Sequence, residues 1–374
     1  MAEEKKICKI RGIFHRGITD TIVEGLETVG IVDYQLAAAR TLMLQEKKGL
    51  FGLYSDTVIV EDPADIMSFL IPAEVEEAVM NLMIDKGDME TPGRGTVFSE
   101  EVSIVKAHRL CFENEVKPFE PKNTYPLITE LTGICCIVQR GEGNFVARVA
   151  LDTGTCVPGI IFGHGAGLRD KLGLLRVAIP AEKELINFAA SKYDADAIMA
   201  LMIDAGKLDQ PGKGFIYLYP IGKGLVNTKI IRGMPKHAAS MEQLIAAVDE
   251  IKRGTGWRRR TASEGQDSKS KRAFFNDLTN LILICNAGLG EDLVKAAMDV
   301  GAAGATISKL KHQCPSDSEL SEISPAREDC NMVVGENQVG DIVEALDKAG
   351  AFNDNSHGRV LVSPIPKACT YLGK

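Results

Sequence analysis

Three short segments carry residue types that could hold an anion. Each joins glycine to a basic residue, and they are Gly93, Arg94 and Gly95; Gly212, Lys213 and Gly214; and His357, Gly358 and Arg359. Glycine has no Cβ, so consecutive backbone N–H groups can turn toward one phosphate and approach it closely. Lys213 would add a mobile positive charge, and Arg94 a planar group suited to bidentate contact. The chemistry these segments offer is therefore phosphate binding.

The same pattern has a simpler interpretation. Glycine is common in turns before strands because the chain must reverse there, and a basic residue in such a turn is often only solvated. A short glycine motif therefore does not by itself identify a phosphate site. Glu100 and Glu101 follow the first turn closely and would disfavour an anion there.

Internal similarity indicates how these turns are positioned. The segment MIDKGDMETPGRG at 83–95 matches MIDAGKLDQPGKG at 202–214, and FLIPAE at 69–74 matches VAIPAE at 177–182, in the same order. A third and weaker copy begins at ILICNAGLGEDLVKAAMDVGAAGATI, residues 282–307. Such repetition predicts three copies of one structural unit.

Within each copy the pattern predicts strand, helix, strand, loop, strand, helix, glycine turn and strand. For the second copy we expect strands near 133–140, 157–163, 172–179 and 214–220, a first helix near 143–153, and a second helical region running through LINFAA and AIMALMI. This order is the ferredoxin-like βαββαβ motif. The expected fold is α+β, with three ferredoxin-like modules arranged as an intramolecular pseudo-trimer.

The predicted domain boundaries follow from these copies. Modules are expected at 1–118, 119–235 and 276–374. Between the last two, residues 240–251 have helical spacing after a serine, and residues 252–272 are polar and basic. We therefore expect a helix and a flexible basic linker over 236–275.

The segments AGKLDQPGKGFIYLYP (205–220) and AGAFNDNSHGRVLVSP (349–364) resemble the turn that follows the second helix in PII-type signalling proteins, called the B-loop. The resemblance extends over most of the chain outside 236–275. It implies clefts between modules that bind adenine nucleotides, with the three glycine turns around the phosphates. The chain departs from the family pattern after the final strands, where the usual paired arginines are missing.

The same resemblance implies a long T-loop in each copy, which contacts a regulated partner. The equivalents are 45–64, 163–173 and 309–330. His164, Arg169 and Lys171 in the second could close over an anion, and the third has the composition of a disordered segment. Residues 45–56 contain Tyr54, but the family's modification motif does not surround it.

Composition limits the classes of function. The formal net charge is −8, so no overall basic field favours nucleic acid. No segment approaches the roughly 20 apolar residues of a membrane helix, and the N-terminus does not resemble a secretory signal, which favours the cytoplasm. The nine cysteines form no CxxC pair and are expected to be reduced core residues. The common sequence motifs of hydrolases and of P-loop NTPases do not occur.

These inferences favour a regulator that is not an enzyme and has no covalent cofactor. ATP, ADP or AMP are the candidate effectors, and a membrane transporter or a metabolic enzyme is the expected partner. Two alternatives remain. His312 and Cys314 could bind metal in a protein similar to the CutA family, although their spacing matches no closed zinc pattern. The chain could also be a structural adaptor whose clefts are empty.

Overall fold

The computed structural model describes residues 6–48, 55–91, 93–111, 114–154, 156–167, 182–226, 231–232, 273–315 and 318–371. Helices and strands both occur throughout these ranges, so the chain is α+β. The predicted helix at 240–251 and nearly all of the predicted linker lie outside the described residues.

The first group of elements ends shortly after the first glycine turn. Its elements are β1 (Ile7–His15), α1 (Thr19–Thr28), β2 (Tyr34–Lys48), β3 (Ser55–Pro72), α2 (Glu76–Gly87), β4 (Gly95–Glu101) and β5 (Ser103–Ala107). β2 and β3 pair along their length, from Gln35 opposite Ser68 to Lys48 opposite Ser55. They form a long antiparallel arm.

The second group surrounds the second glycine turn. Its elements are β6 (Leu131–Gln139), α3 (Gly143–Asp152), β7 (Gly159–Gly167), β8 (Glu182–Ser191), α4 (Ala195–Gly206), β9 (Gly214–Pro220), β10 (Gly224–Leu225) and β11 (Ile231–Arg232). The third group is β12 (Leu278–Asn286), α5 (Gly290–Asp299), β13 (Gly304–Gln313), β14 (Ala326–Gly335), α6 (Val339–Lys348), β15 (Arg359–Ile365) and β16 (Lys367–Thr370).

All these strands belong to one continuous sheet, which overturns the predicted fold class. The sheet has 16 strands, and its main path runs β10-β4-β1-β3-β2-β13-β7-β8-β6-β9-β16. β12 pairs with β14 and β15, and β14 pairs with β13. The prediction of three small ferredoxin-like modules forming a pseudo-trimer is therefore wrong. Because β2, β7 and β13 pair with one another, the described strands of the three groups form one sheet and are not separate.

Three short strands add further pairings between groups. β5 pairs with β15, β10 pairs with β4, and β16 pairs with β9. In each case a segment that follows one glycine turn lies on the strand that follows another. Such pairing satisfies backbone groups that an edge strand would otherwise expose.

Two local expectations also change. LINFAA was predicted as helix, but these residues lie in β8, where the side chains from Glu184 to Ala190 are buried. A short apolar run fits a buried strand as well as a helix, and length alone does not separate the two. The predicted strand at 172–179 lies outside the described residues.

The expected T-loops are largely strand where the structure describes them. β2 reaches Lys48 and β3 begins at Ser55, so most of 45–64 belongs to the arm. β13 continues to Gln313, a short 3-10 helix follows at Glu319–Glu322, and β14 starts at Ala326. The prediction of disorder at 309–330 is therefore wrong for the described residues there. Tyr54 lies outside them.

The matching segments at 83–95 and 202–214 adopt the same helix end. α2 and α4 both finish at a glycine, and the next residue, Asp88 or Lys207, has the left-handed conformation with φ of 49° or 51°. The backbone N–H of Met89 donates to Ile84, as that of Leu208 donates to Ile203. These bonds satisfy carbonyl groups at the helix terminus and direct the chain into the glycine turn.

The helices of each group pack on one face of the sheet, and each pair of helices covers its own apolar core. The opposite face carries a further core, which includes Ile13, Phe98, Cys135 and Tyr217 from different groups. No helix among the described residues has the length and apolar content needed to cross a membrane.

Buried charges lie beside this shared core. Lys9 Nζ is 3.0 Å and Arg11 Nε 2.9 Å from the Glu100 carboxylate; the Lys9 and Glu100 side chains are buried, and that of Arg11 is partly buried. Burial disfavours the charged carboxylate, but the two cations hold the pKa of Glu100 below its usual value. Asp329 is near the same cluster, and burial raises its pKa. The cluster therefore brings charges of the first and third groups near one another.

Candidate anion site

Turn 1, defined as residues 93–95, lies where α2 leads into β4. Phe14 of β1 is opposite Gly95 in the strand pairing, and the backbone N–H of His15 donates to the Arg94 carbonyl at 2.9 Å. A Cβ at Gly95 would collide with Phe14, and Gly93 has a positive φ of 92°. Both positions therefore favour glycine because of close approach and backbone conformation.

A pocket opens beside turn 1. The enclosed space is only about 10 Å³, room for about one water molecule, and it continues into an open mouth; Val157 of the second group lines one side. Its lining is Ile13, Phe14, His15, Thr41, Met43, Gly93, Arg94, Gly95, Thr96 and Val157. One part of this lining is apolar, and the other offers a guanidinium, an imidazole, hydroxyl groups and a glycine-rich backbone. The lining therefore places polar donors beside apolar side chains, and a ligand larger than a water molecule would extend from the enclosed space into the open mouth.

Arg94 supplies the positive charge at this pocket. Its side chain is 43% exposed, and its guanidinium lies 3.8 Å from the carboxylate of Asp88, which is itself exposed. An exposed pair at this distance holds its partners weakly. The guanidinium is therefore able to turn toward an incoming anion.

His15 is oriented at the inner wall of the pocket. Its Nδ1 accepts the backbone N–H of Gly17 at 2.9 Å, and its Nε2 lies 3.7 Å from Asp62 Oδ2. The bond from Gly17 requires Nδ1 to be an acceptor, so the ring proton is on Nε2. His15 thus offers an N–H donor on the side that faces Asp62.

The expected repulsion from Glu100 and Glu101 does not arise at turn 1. Glu100 is buried and neutralised by Lys9 and Arg11. It lies five residues along β4 from Gly95, which corresponds to about 16 Å of strand. Glu101 is exposed at the far end of β4. The sequence order placed these carboxylates near the turn, but the extended strand takes them away from it.

Turn 2, residues 212–214, uses its polar groups internally. Lys213 Nζ lies 3.3 Å from Glu142 Oε1, and the Gln139 side chain donates to the Gly212 carbonyl at 2.9 Å. Thr370 of β16 donates its hydroxyl to the Gly214 carbonyl at 2.8 Å. Turn 2 therefore has a carboxylate beside its lysine and a strand of the third group across its end.

Turn 3, residues 357–359, is buried. Arg359 is 4% exposed, and its Nη1 lies 3.4 Å from Asp33 Oδ2. A Cβ at Gly358 would collide with the Ala351 carbonyl oxygen. Gly358 and Arg359 are thus positioned by packing and by an ion pair with the first group. His357 precedes Gly358 as Arg94 precedes Gly95 and Lys213 precedes Gly214, although β15 begins one residue later, at Arg359.

The surroundings of turn 3 contain groups that the sequence analysis missed. Arg327 of β14 donates from Nη2 to the His357 carbonyl at 2.6 Å and from Nη1 to the Ser356 carbonyl at 3.3 Å. The Cys111 thiol lies 3.1 Å from the same His357 carbonyl. Neither Arg327 nor Cys111 belongs to a recognisable motif, so sequence could not indicate that they meet.

The remaining predicted contacts are only partly described. His164 of β7 lies 3.2 Å from the Glu291 carboxylate of α5 and is opposite Ile307 of β13 in the strand pairing. Arg169 and Lys171 lie outside the described residues. Of the three predicted second-loop residues, the structure therefore describes the surroundings of His164 alone.

The predicted metal pair occupies a different environment from the one expected. His312 is 1% exposed, and its Nε2 lies 3.1 Å from Asp33 Oδ1. It is a buried partner of Asp33 and not a solvated loop residue. Within the described part of the chain, no three histidine, cysteine or acidic side chains come close enough to hold a metal ion.

Comparison with known proteins identifies no relative of this chain, so the site is interpreted from its geometry. No family model and no curated protein matches this chain.

Proposed function

We propose that this protein is a regulator, similar in mode of action to PII-type proteins, that binds a small phosphorylated effector at turn 1. An adenine nucleotide is the effector we favour, and binding without chemical conversion is the proposed role. The observation that carries the proposal is the pocket beside Gly93, Arg94 and Gly95, because it combines a weakly held guanidinium with an apolar wall. A phosphate would contact the guanidinium, and a base would lie against the apolar wall.

The position of the pocket supports a signalling role. Thr41 and Met43 line it, and both belong to β2, which continues to Lys48 in the long arm with β3. A ligand at turn 1 therefore contacts the base of the arm. An effector that binds one arrangement of the arm better than another would shift its population and change docking of a transporter or enzyme.

The first test is calorimetric titration of the full chain with ATP, ADP and AMP, with and without magnesium. We expect saturable binding with fewer than three sites, because turn 3 is buried and Lys213 faces a carboxylate. Arg94→Ala should weaken binding about 10- to 100-fold, as expected for losing one charge-assisted contact.

Two controls make this test specific. Arg148→Ala removes an exposed arginine that pairs with Asp152 on α3, and affinity should not change. Circular dichroism should show that both variants keep the fold. Saturable binding that Arg94→Ala leaves unchanged would contradict the assignment to turn 1. Absence of binding to all three nucleotides would contradict the proposed effector class and favour an adaptor.

A further inference from the structure

A segment of the first group closes over turn 3. β5 pairs with β15, with Ala107 opposite Arg359. The backbone N–H of His108 then donates to the Gly358 carbonyl at 2.8 Å. The backbone N–H of Cys111 donates to the His108 carbonyl at 2.9 Å. We call residues 107–111 the latch. It joins parts of the chain separated by about 250 residues and is independent of any ligand at turn 1.

The latch is anchored in the first group by Asn114. The Asn114 side chain accepts the backbone N–H groups of Val32 and Asp33 at 2.9 and 2.8 Å and donates to the carbonyls of Asp33 and Leu70. Asn114 is buried and uses both ends of its amide. One end of the closing segment is therefore rigid, and the contacts with turn 3 decide whether the other end stays in place.

A buried imidazole, that of His357, packs against the latch. His357 is 4% exposed and has a left-handed backbone with φ of 43°. Its ring centroid lies 4.6 Å from that of His108, edge to face. Its Nε2 has no hydrogen-bond partner within the described residues, and its Nδ1 lies 3.5 Å from the Asn286 amide nitrogen. No carboxylate contacts either nitrogen there, so the pocket accommodates the neutral ring.

The charges that face His357 come from several elements. Burial lowers the pKa of His357, and His108 and Arg327 lower it further. Asp354, three residues before His357, and Glu322 of the 3-10 helix raise the pKa of His357, but by less. The environment therefore opposes a proton on His357 while the latch is closed.

We propose that residues 107–111 form an acid-sensitive latch, which protonation of His357 loosens. When the latch opens, the ring meets water and takes up a proton near its ordinary range. When the latch is closed, uptake requires a lower pH. The neutral ring thus stabilises the closed latch above the ordinary histidine pKa of about 6.5, and this stabilisation is lost as pH falls from there through the lowered pKa.

Asp354 limits how far the latch opens. His108 Nε2 lies 2.9 Å from Asp354 Oδ1, and this bond is the main reason that the pKa of Asp354 is lowered. The carboxylate therefore stays ionised through mildly acidic pH and continues to hold His108. Loosening at His357 shifts the opening equilibrium without detaching the segment.

Hydrogen–deuterium exchange of the full chain tests the proposal. Rates in peptides covering 103–111 and 356–362 are measured at pH 7.5 and 5.5 and corrected for the intrinsic pH dependence of exchange. Protection there should fall at pH 5.5 by up to about tenfold, the limit for one imidazole that titrates near 6.5 when the latch is open and stays neutral when it is closed. Peptides from β6 and β8 should keep their protection.

Variants separate His357 from the other histidines. His357→Asn should abolish the pH response, because asparagine tolerates the left-handed backbone and does not titrate. His164→Gln is the matched control, since His164 also joins two groups but is distant from the latch, and it should keep the response. Unchanged protection at pH 5.5, a uniform loss across the chain, or a response that persists in His357→Asn would each overturn the proposal. If His357→Asn does not fold, the comparison of the wild type at pH 7.5 and 5.5 decides whether the proposal stands.

Discussion

Turn 1 and turn 3 have similar local sequences but opposite surroundings. At turn 1 the cation is Arg94, which is 43% exposed and lies near Asp88, six residues away in the chain. At turn 3 the cation is Arg359, which is buried and pairs with Asp33, 326 residues away. A glycine beside a basic residue is therefore compatible with an open site and with a packed structural contact.

The strands that cross each turn explain the difference. Two residues of β10 pair with β4 beyond turn 1, whereas four residues of β5 pair with β15 at turn 3. The latch then continues over His357 and Gly358. The chain segment contributed by another group, and not the turn itself, decides whether the backbone N–H groups are accessible.

The largest contrast should appear when a carboxylate is neutralised at each turn. Asp33→Asn removes the charge that faces both Arg359 and His312 in a buried setting. We expect it to lower the free energy of unfolding by about 3–5 kcal/mol, because it leaves a buried guanidinium without its counter-ion. Asp88→Asn at turn 1 should change it by less than about 0.5 kcal/mol.

Urea unfolding followed by circular dichroism measures both variants against the wild type. Asparagine preserves the left-handed conformation at position 88, so the comparison tests charge and not backbone strain. Equal effects of the two substitutions would show that the Asp33 ion pair does not hold turn 3 closed.

A smaller effect is expected from adding one methyl group to the closed turn. Gly358→Ala places a Cβ against the Ala351 carbonyl oxygen, so the backbone has to shift. We expect a loss of about 1–3 kcal/mol, the usual range for overpacking. Gly340→Ala is the control, because a Cβ there meets no atom within 4 Å and alanine favours the helix α6. Thermal unfolding should rank Gly340→Ala at or above the wild type, and a tolerated Gly358→Ala would contradict the tight closure.

Local features near the turns could be predicted from sequence. The segments MIDKGD and MIDAGK each end a helix in the same left-handed residue, because a glycine and the short-range bonds to Ile84 or Ile203 determine that geometry. The helix at α3 also lies close to its predicted bounds of 143–153. Such elements depend on neighbours within about five residues.

Pairings between distant segments could not be predicted in the same way. Nothing in the sequence of β2 indicates that its edge pairs with both β7 and β13, yet this pairing replaces three separate modules by one sheet. Nor do Arg327 and His108 have a periodic pattern that would place them at turn 3. Long-range charge partners such as Asp33 are visible only once the strands are assembled.

Turn 2 lies between the other two in exposure and gives the smallest expected effect. Lys213 is 37% exposed and 3.3 Å from Glu142, so Lys213→Gln should change the free energy of unfolding by less than about 0.5 kcal/mol. Nucleotide affinity should also fall less in Lys213→Gln than in Arg94→Ala, because Lys213 already pairs with the Glu142 carboxylate. If calorimetry instead shows that Lys213→Gln weakens binding as much as Arg94→Ala, an effector displaces Glu142 at turn 2. The accessibility of the cation would then not distinguish binding turns from structural ones, and the contrast between turns 1 and 3 would rest on the latch alone.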